Sequence, residues 1–109
     1  MHPLHLAVER MDIAAARQLL VNGADPNAEE PTLGGARPLH LAIDIECEDA
    51  CRRYDAGELE SIPRSSISAL LVEFGADPNL PDYSGQSALD WATERNHQQA
   101  VYLFTGKAT

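Results

Sequence analysis

Pro38-Leu39-His40-Leu41-Ala42 opens, and Gly75-Ala76-Asp77-Pro78-Asn79 closes, the stretch on which the fold turns. Each phrase has an earlier copy, as Pro3-Leu4-His5-Leu6-Ala7 and Gly23-Ala24-Asp25-Pro26-Asn27. The openings lie 35 residues apart and the closings 52 apart, so the middle copy carries 17 additional residues. The chain is a repeat protein whose central repeat is interrupted. Repetition sets the fold, and the interruption is the place to look for individuality.

Outward from that stretch the pattern is helical. Pro3 suits a first helical turn, where a missing N–H costs nothing. Leu4, Ala7, Val8 and Met11 then mark one buried stripe. Asp12 is a good N-cap for a second helix with Ile13, Ala16, Leu19 and Leu20 inside, and Asn22-Gly23 ends it. In Ala24-Asp25-Pro26-Asn27 the proline fixes φ, and Asp25 and Asn27 can bond their own backbones, which makes a turn. The segment from Ala28 to Arg37, with Pro31 and Gly34-Gly35, reads as an exposed hairpin or loop.

In the second unit the helical spacing runs on through Leu39, Ala42, Ile43, Cys47, Ala50, Cys51 and Tyr54. This predicts a first helix lengthened to about Tyr54, broken by Gly57 and restarted near Pro63. Ser61, Ser65 or Ser66 caps the next helix, whose inner face is Ile67, Leu70, Leu71 and Phe74. In the third unit Asp82-Tyr83-Ser84-Gly85 makes a turn and Ser87 an N-cap. Ala88-Leu89-Asp90-Trp91-Ala92 replaces the earlier phrase, and Asn96 supplies a left-handed turn residue. A last helix holds Ala100, Val101, Leu103 and Phe104 and ends at Gly106.

These phrases and their spacing resemble the ankyrin repeat family, over nearly the whole chain except the insert. The resemblance implies an all-α solenoid of about three helix–turn–helix units with hairpin loops. It divides one domain, 1–109, into units of about 1–35, 36–85 with an insert at 47–63, and 86–109. It also implies protein binding through hairpin tips and the concave face, with no catalytic residues. His5 and His40 become structural, tying adjacent units. Trp91 covers the open end of the stack. The family's usual threonine before Pro-Leu-His is His2, Arg37 and Ser87 here, so only Ser87 keeps a hydroxyl cap. Met11 stands where a left-handed glycine is common, a strain of about 1 kcal/mol.

Composition narrows the function. A chain of 109 residues makes one domain, and at 6 % aromatic its core is built from Leu, Ala, Val and Ile. No run approaches a membrane span, and the start lacks signal-peptide features. Two cysteines without a secretion signal suggest a reducing, cytoplasmic setting. A net charge of −9 argues against nucleic acid and anionic membranes and steers basic partners inward.

Seven acids (Asp44, Glu46, Glu48, Asp49, Asp55, Glu58, Glu60) and two arginines in the insert region supply −5 of that charge. Asp44, Glu46, Glu48 and Asp49 lie along a helix with Arg52 and Arg53 beside them, so a solvated face is favoured over a metal or paired-acid site. The insert is therefore the candidate partner-facing element, through Asp44, Glu46, Glu48, Asp49, Arg52 and Tyr54, projecting away from the hairpin tips. Glu29, Glu30, Leu33, Arg37, Asp82 and Tyr83 are candidate tip contacts. The partner expected is another protein with a basic surface, bound by a chain that is monomeric when free and needs no cofactor.

The resemblance also extends to acidic immunity proteins that neutralise a basic toxin. Two alternatives stand. One is a small metal- or thiol-dependent enzyme using Cys47, Cys51 and the histidines, although the favoured reading of both cysteines is as buried small apolar residues. The other is a piece of a larger ankyrin array, suggested by a first unit that begins almost at Met1.

Overall fold

The computed structural model describes residues 2–57 and 65–106. Six helices follow one another: α1 Pro3–Glu9, α2 Ile13–Val21, α3 Pro38–Asp55, α4 Ser66–Glu73, α5 Ala88–Glu94 and α6 Gln98–Thr105. Each odd helix packs against the even helix that follows it. The odd helices form one row, α1 to α3 to α5, and the even helices a second, α2 to α4 to α6. The described residues contain no strand. Isolated antiparallel bridges, Glu30 to Ala36 and Pro81 to Ser87, close the loops between units. This is the all-α solenoid that the repeated phrases imply.

The core lies between the rows. Val8, Ile43, Ile67 and Leu71 are fully enclosed, with Leu39 nearly so and Ala16, Ala42, Ala92 and Ala100 between them. Each large aliphatic side chain enclosed this way contributes about 1.5–3 kcal/mol. The alanines, having no bulk beyond Cβ, let the helices approach closely.

Helix ends follow local chemistry. Asp12 accepts from Ala15 N–H at 3.0 Å and caps α2. Ser87 and Asp90 cap α5 reciprocally, at 3.1 and 3.0 Å. Met11 and Asn96 occupy equivalent left-handed positions, with φ of 51° and 55°. Asn tolerates that region, whereas Met11 carries the strain expected of it.

The histidines tie the units. His40 Nδ1 accepts Arg37 N–H at 3.0 Å, so Nε2 bears the proton and donates to Gln86 C=O at 2.8 Å. His5 Nε2 meets Ala36 C=O at 2.9 Å. Its Nδ1 has no partner among the described residues, because His2 N–H turns instead to Glu30 Oε1 at 2.8 Å. Asp25 accepts from Asn27 N–H at 2.8 Å, as the turn chemistry requires. Asn27 does something else: its side chain bridges to the second unit, donating to Gly75 C=O and accepting from Asp77 N–H at 2.7 Å.

α3 is the long element, 18 residues against 7 in α1 and α5. At 1.5 Å per residue the excess is about 16 Å, roughly three turns. The helix ends at Asp55 with Ala56 as its C-cap, and Gly57 takes φ 103°. Near this end Cys51 and Tyr54 of the apolar stripe are exposed, Tyr54 to 55 %. The reading of both cysteines as buried holds only in part: Cys47 is half-buried against the core and Cys51 faces solvent. Ser61, Pro63, Glu58 and Glu60 lie outside the described residues.

The start of α4 departs from expectation. Ser65 is the N-cap position, but its side chain caps nothing. The carboxylate of Glu46, reaching from α3, takes that role. Its Oε2 accepts from Ile67 N–H at 3.1 Å and Ser68 N–H at 3.0 Å, and its Oε1 accepts from the Ser68 hydroxyl at 2.7 Å. His97 completes the cluster. Its Nδ1 accepts Ala100 N–H at 3.3 Å and so caps α6, leaving Nε2–H to donate to Glu46 Oε1 at 2.8 Å. One side chain on α3 thereby fixes the starts of both even helices beyond the interruption.

Candidate protein-binding groove

The exposed face of α3 is set by helical phase. Leu41, Asp44, Ile45, Glu48 and Arg52 fall on one side, opposite the buried Leu39, Ala42, Ile43, Glu46 and Ala50. That face, with Glu9 at the end of α1 and Leu33 of the 3-10 turn Pro31–Leu33, lines a groove of about 400 Å³. Leu33, Leu41 and Ile45 make an apolar floor. Glu9, Asp44 and Glu48 make walls that are acidic and exposed.

The wall carboxylates are not equivalent. Asp44 pairs with Arg95 Nη1 at 2.9 Å, and Glu48 pairs loosely with Arg52 at 4.0 Å. Both pairs stand in water, and such pairs contribute about 0–1 kcal/mol. Glu9 makes no ion pair among the described residues. The Arg95 guanidinium also lies 4.5 Å from the centroid of the Trp91 ring.

The expected contact residues separate on this geometry. Asp44, Glu48, Arg52 and Leu33 come together in the groove. A tip residue, Leu33, and an insert-region residue, Arg52, line the same groove, which extends along α3. Glu46 is corrected: the solvated face and partner contact expected of it do not hold, because it is 1 % exposed and spent on hydrogen bonds. Its signal was legible, since it falls three residues after Ile43 and four before Ala50. Asp49 is half-buried and held by Arg53 at 3.0 Å. Tyr54 is exposed but does not line the groove.

At the loops, Glu30 is buried and is not a tip contact. It accepts from His2 N–H and from the Thr32 hydroxyl and N–H. Those bonds, the His2 N–H first, pull its pKa down to about 2. Arg37 is spent on the scaffold: it donates to Asn27 C=O at 2.8 Å and Pro81 C=O at 3.1 Å, and lies 3.8 Å from the exposed Glu29. Asp82 holds its own turn by accepting from the Ser84 hydroxyl and N–H and from Gln86 N–H. Burial pushes its carboxyl up, but these bonds outweigh it and the net shift is downward. Tyr83 is 62 % exposed, its N–H on Gly34 C=O and its ring across Gly35.

Glu9, Leu41 and Ile45 were not singled out as contacts. A signal existed for Glu9: it stands 35 residues before Asp44, at the same place in the repeat. As to chemistry, no three metal-ligating side chains converge among the described residues. Burial pushes the Cys47 thiol up from its ordinary value, opposite to the depressed pKa a reactive thiol needs. No described helix is long and apolar enough to cross a membrane.

Comparison with known proteins agrees with the architecture. A family model described as Ankyrin repeat matches residues 1–30. Neurogenic locus notch homolog protein 2 of Homo sapiens is 32 % identical over 117 residues, covering 92 % of this chain and 5 % of that protein. A putative ankyrin repeat protein of Acanthamoeba polyphaga mimivirus is 30 % identical over 113 residues, covering 88 % of this chain and 14 % of the relative. The ARF GTPase-activating protein GIT1 of Homo sapiens is 30 % identical over 96 residues, covering 88 % and 10 %. The chain thus spans a small part of the length of these relatives. Ankyrin repeats mediate protein–protein interaction and are in general not enzymes. Paired helices in two rows, histidines bonding across units and the matching relatives lead to one conclusion: the chain belongs to the ankyrin repeat family.

Proposed function

We propose that this chain is a non-catalytic binding module that receives a partner protein in the groove between Leu33, the end of α1 and α3. The observation that carries the reading is an apolar floor enclosed by acidic walls, on a chain of net charge −9. A partner with a basic surface complements it. Opposite charge speeds the encounter, and the apolar floor retains the bound side chain. A narrower form of the proposal is an immunity role, in which the partner is a basic toxin whose site is occluded. The chain acts in the cytoplasm, free of cofactor and monomeric until it binds. A second reading, that the unit works inside a longer ankyrin array, is favoured by the small share of each relative that it spans.

The test is recovery of a partner from the native host with the wild-type chain and with Ile45→Asp. Ile45 lines the groove without packing against the core, so a charge there spoils the floor and spares the fold. The expected result is loss of the partner. Full retention by a folded Ile45→Asp chain removes the groove from the function.

A further inference from the structure

We propose that the groove is built to take an arginine of the partner, set among apolar residues, and that Arg95 occupies the arginine's place in the free chain. The proposal rests on the protein-binding reading above and specifies the partner's chemistry. Asp44 belongs to two structures at once. It lines the groove beside Leu41 and Ile45, and its Oδ1 accepts from Arg95 Nη1 at 2.9 Å. The same guanidinium lies 4.5 Å from the Trp91 ring centroid. A carboxylate and an aromatic face held together form a receptor for a planar cation, which can pair with one and stack on the other.

The receptor is organised before any partner arrives. Trp91 Nε1–H donates to Gln86 Oε1 at 3.0 Å, and the ring meets His40 edge-on at 5.1 Å. His40 is itself fixed at both nitrogens, by Arg37 N–H and Gln86 C=O. A ring held this way loses little freedom on binding. The Arg95–Asp44 pair is the exchangeable part: the Arg95 side chain is 39 % exposed and that of Asp44 56 %. An ion pair this wet is weak and exchangeable. A partner arginine that also buries neighbouring apolar side chains on Leu33, Leu41 and Ile45 gains contacts that Arg95 does not make, and so displaces it.

The probe is a synthetic peptide alternating leucine and arginine, titrated calorimetrically at low salt into wild type, Arg95→Ala and Asp44→Asn. A second peptide replaces arginine by neutral citrulline. Arg95→Ala is expected to bind the arginine peptide about threefold more tightly, and Asp44→Asn about threefold more weakly, with little change for citrulline. Thermal melting checks that each variant is folded, and Arg95→Gln serves if Arg95→Ala is not. Equal affinity for the two peptides, or an Arg95 variant no tighter than wild type, overturns the arginine receptor and leaves the protein-binding groove standing. No binding of either peptide to any variant overturns both.

Discussion

At the scale of single residues, the scaffold depends on carboxylates and imidazoles removed from water. Glu46 receives four hydrogen bonds from Ile67, Ser68 and His97. Replacing it by alanine leaves all four donors without an acceptor in a dry site. Glu46→Ala is expected to lower unfolding free energy by about 3 kcal/mol, with Glu46→Gln retaining part of it. Urea unfolding checks both. Charge reversal at this position reports on folding rather than on partner contact.

The buried histidines set a pH dependence. Burial, ahead of every other influence, lowers the pKa of His5 and His40 below the ordinary 6.5. Below pH 6.5 the unfolded chain takes up protons that the folded chain refuses. Stability is therefore fully present above that value and is lost as pH falls through the lower folded values. Glu30 acts in a separate window. With a folded pKa of about 2 against 4.5, it stabilises above 4.5 and loses that contribution as pH falls toward 2. Urea midpoints followed downward from neutral pH are expected to decline in both windows. Glu30→Gln should flatten only the lower one.

At the scale of elements, the loops show how neighbouring units are locked. Gly34 and Gly35 both have positive φ, 65° and 77°. A Cβ on Gly34 meets nothing, whereas one on Gly35 would stand 2.3 Å from the Tyr83 ring. Gly34→Ala should cost about 1 kcal/mol from backbone strain alone. Gly35→Ala should cost clearly more, because Tyr83 must leave the loop. Thermal melts of both, and of Gly35→Ala combined with Tyr83→Ala, separate strain from collision. Recovery in the double variant is the sign of collision.

Much at this scale was legible in sequence. The repeated phrases placed α1, α2 and the start of α3, and apolar spacing carried α3 to within a residue of its end. Local chemistry identified Asp12 and Ser87 as caps. What sequence could not reach were partners far along the chain. The cap of α4 comes from Glu46, 21 residues before it, and the place of Asp44 depends on Arg95, 51 residues away. The exposure of Cys51 and Tyr54 depends on what packs beside α3, which the periodicity of α3 does not contain. Glu30 and Arg37 read as surface charges because several of their partners are backbone groups, among them His2 N–H, Asn27 C=O and Pro81 C=O, which carry no residue-specific signal.

At the scale of the whole molecule, the helices present one face along which a groove is lined both by Leu33 of a loop and by Arg52 of the insert region. Local charge there is divided between acids that are paired and acids that, among the described residues, are not, so binding should respond to salt while the apolar floor supplies an insensitive remainder. The measurement that bears most directly on this account is the dissociation constant of the recovered partner across a salt series. Wild type is compared with the triple variant Glu9→Lys, Asp44→Lys, Glu48→Lys, and with Glu73→Lys, an exposed change outside the groove. Wild-type affinity should fall with salt. The triple variant should bind at least about tenfold more weakly at low salt with a flattened dependence, and Glu73→Lys should follow wild type. Identical affinities and identical salt slopes for all three chains would contradict the account.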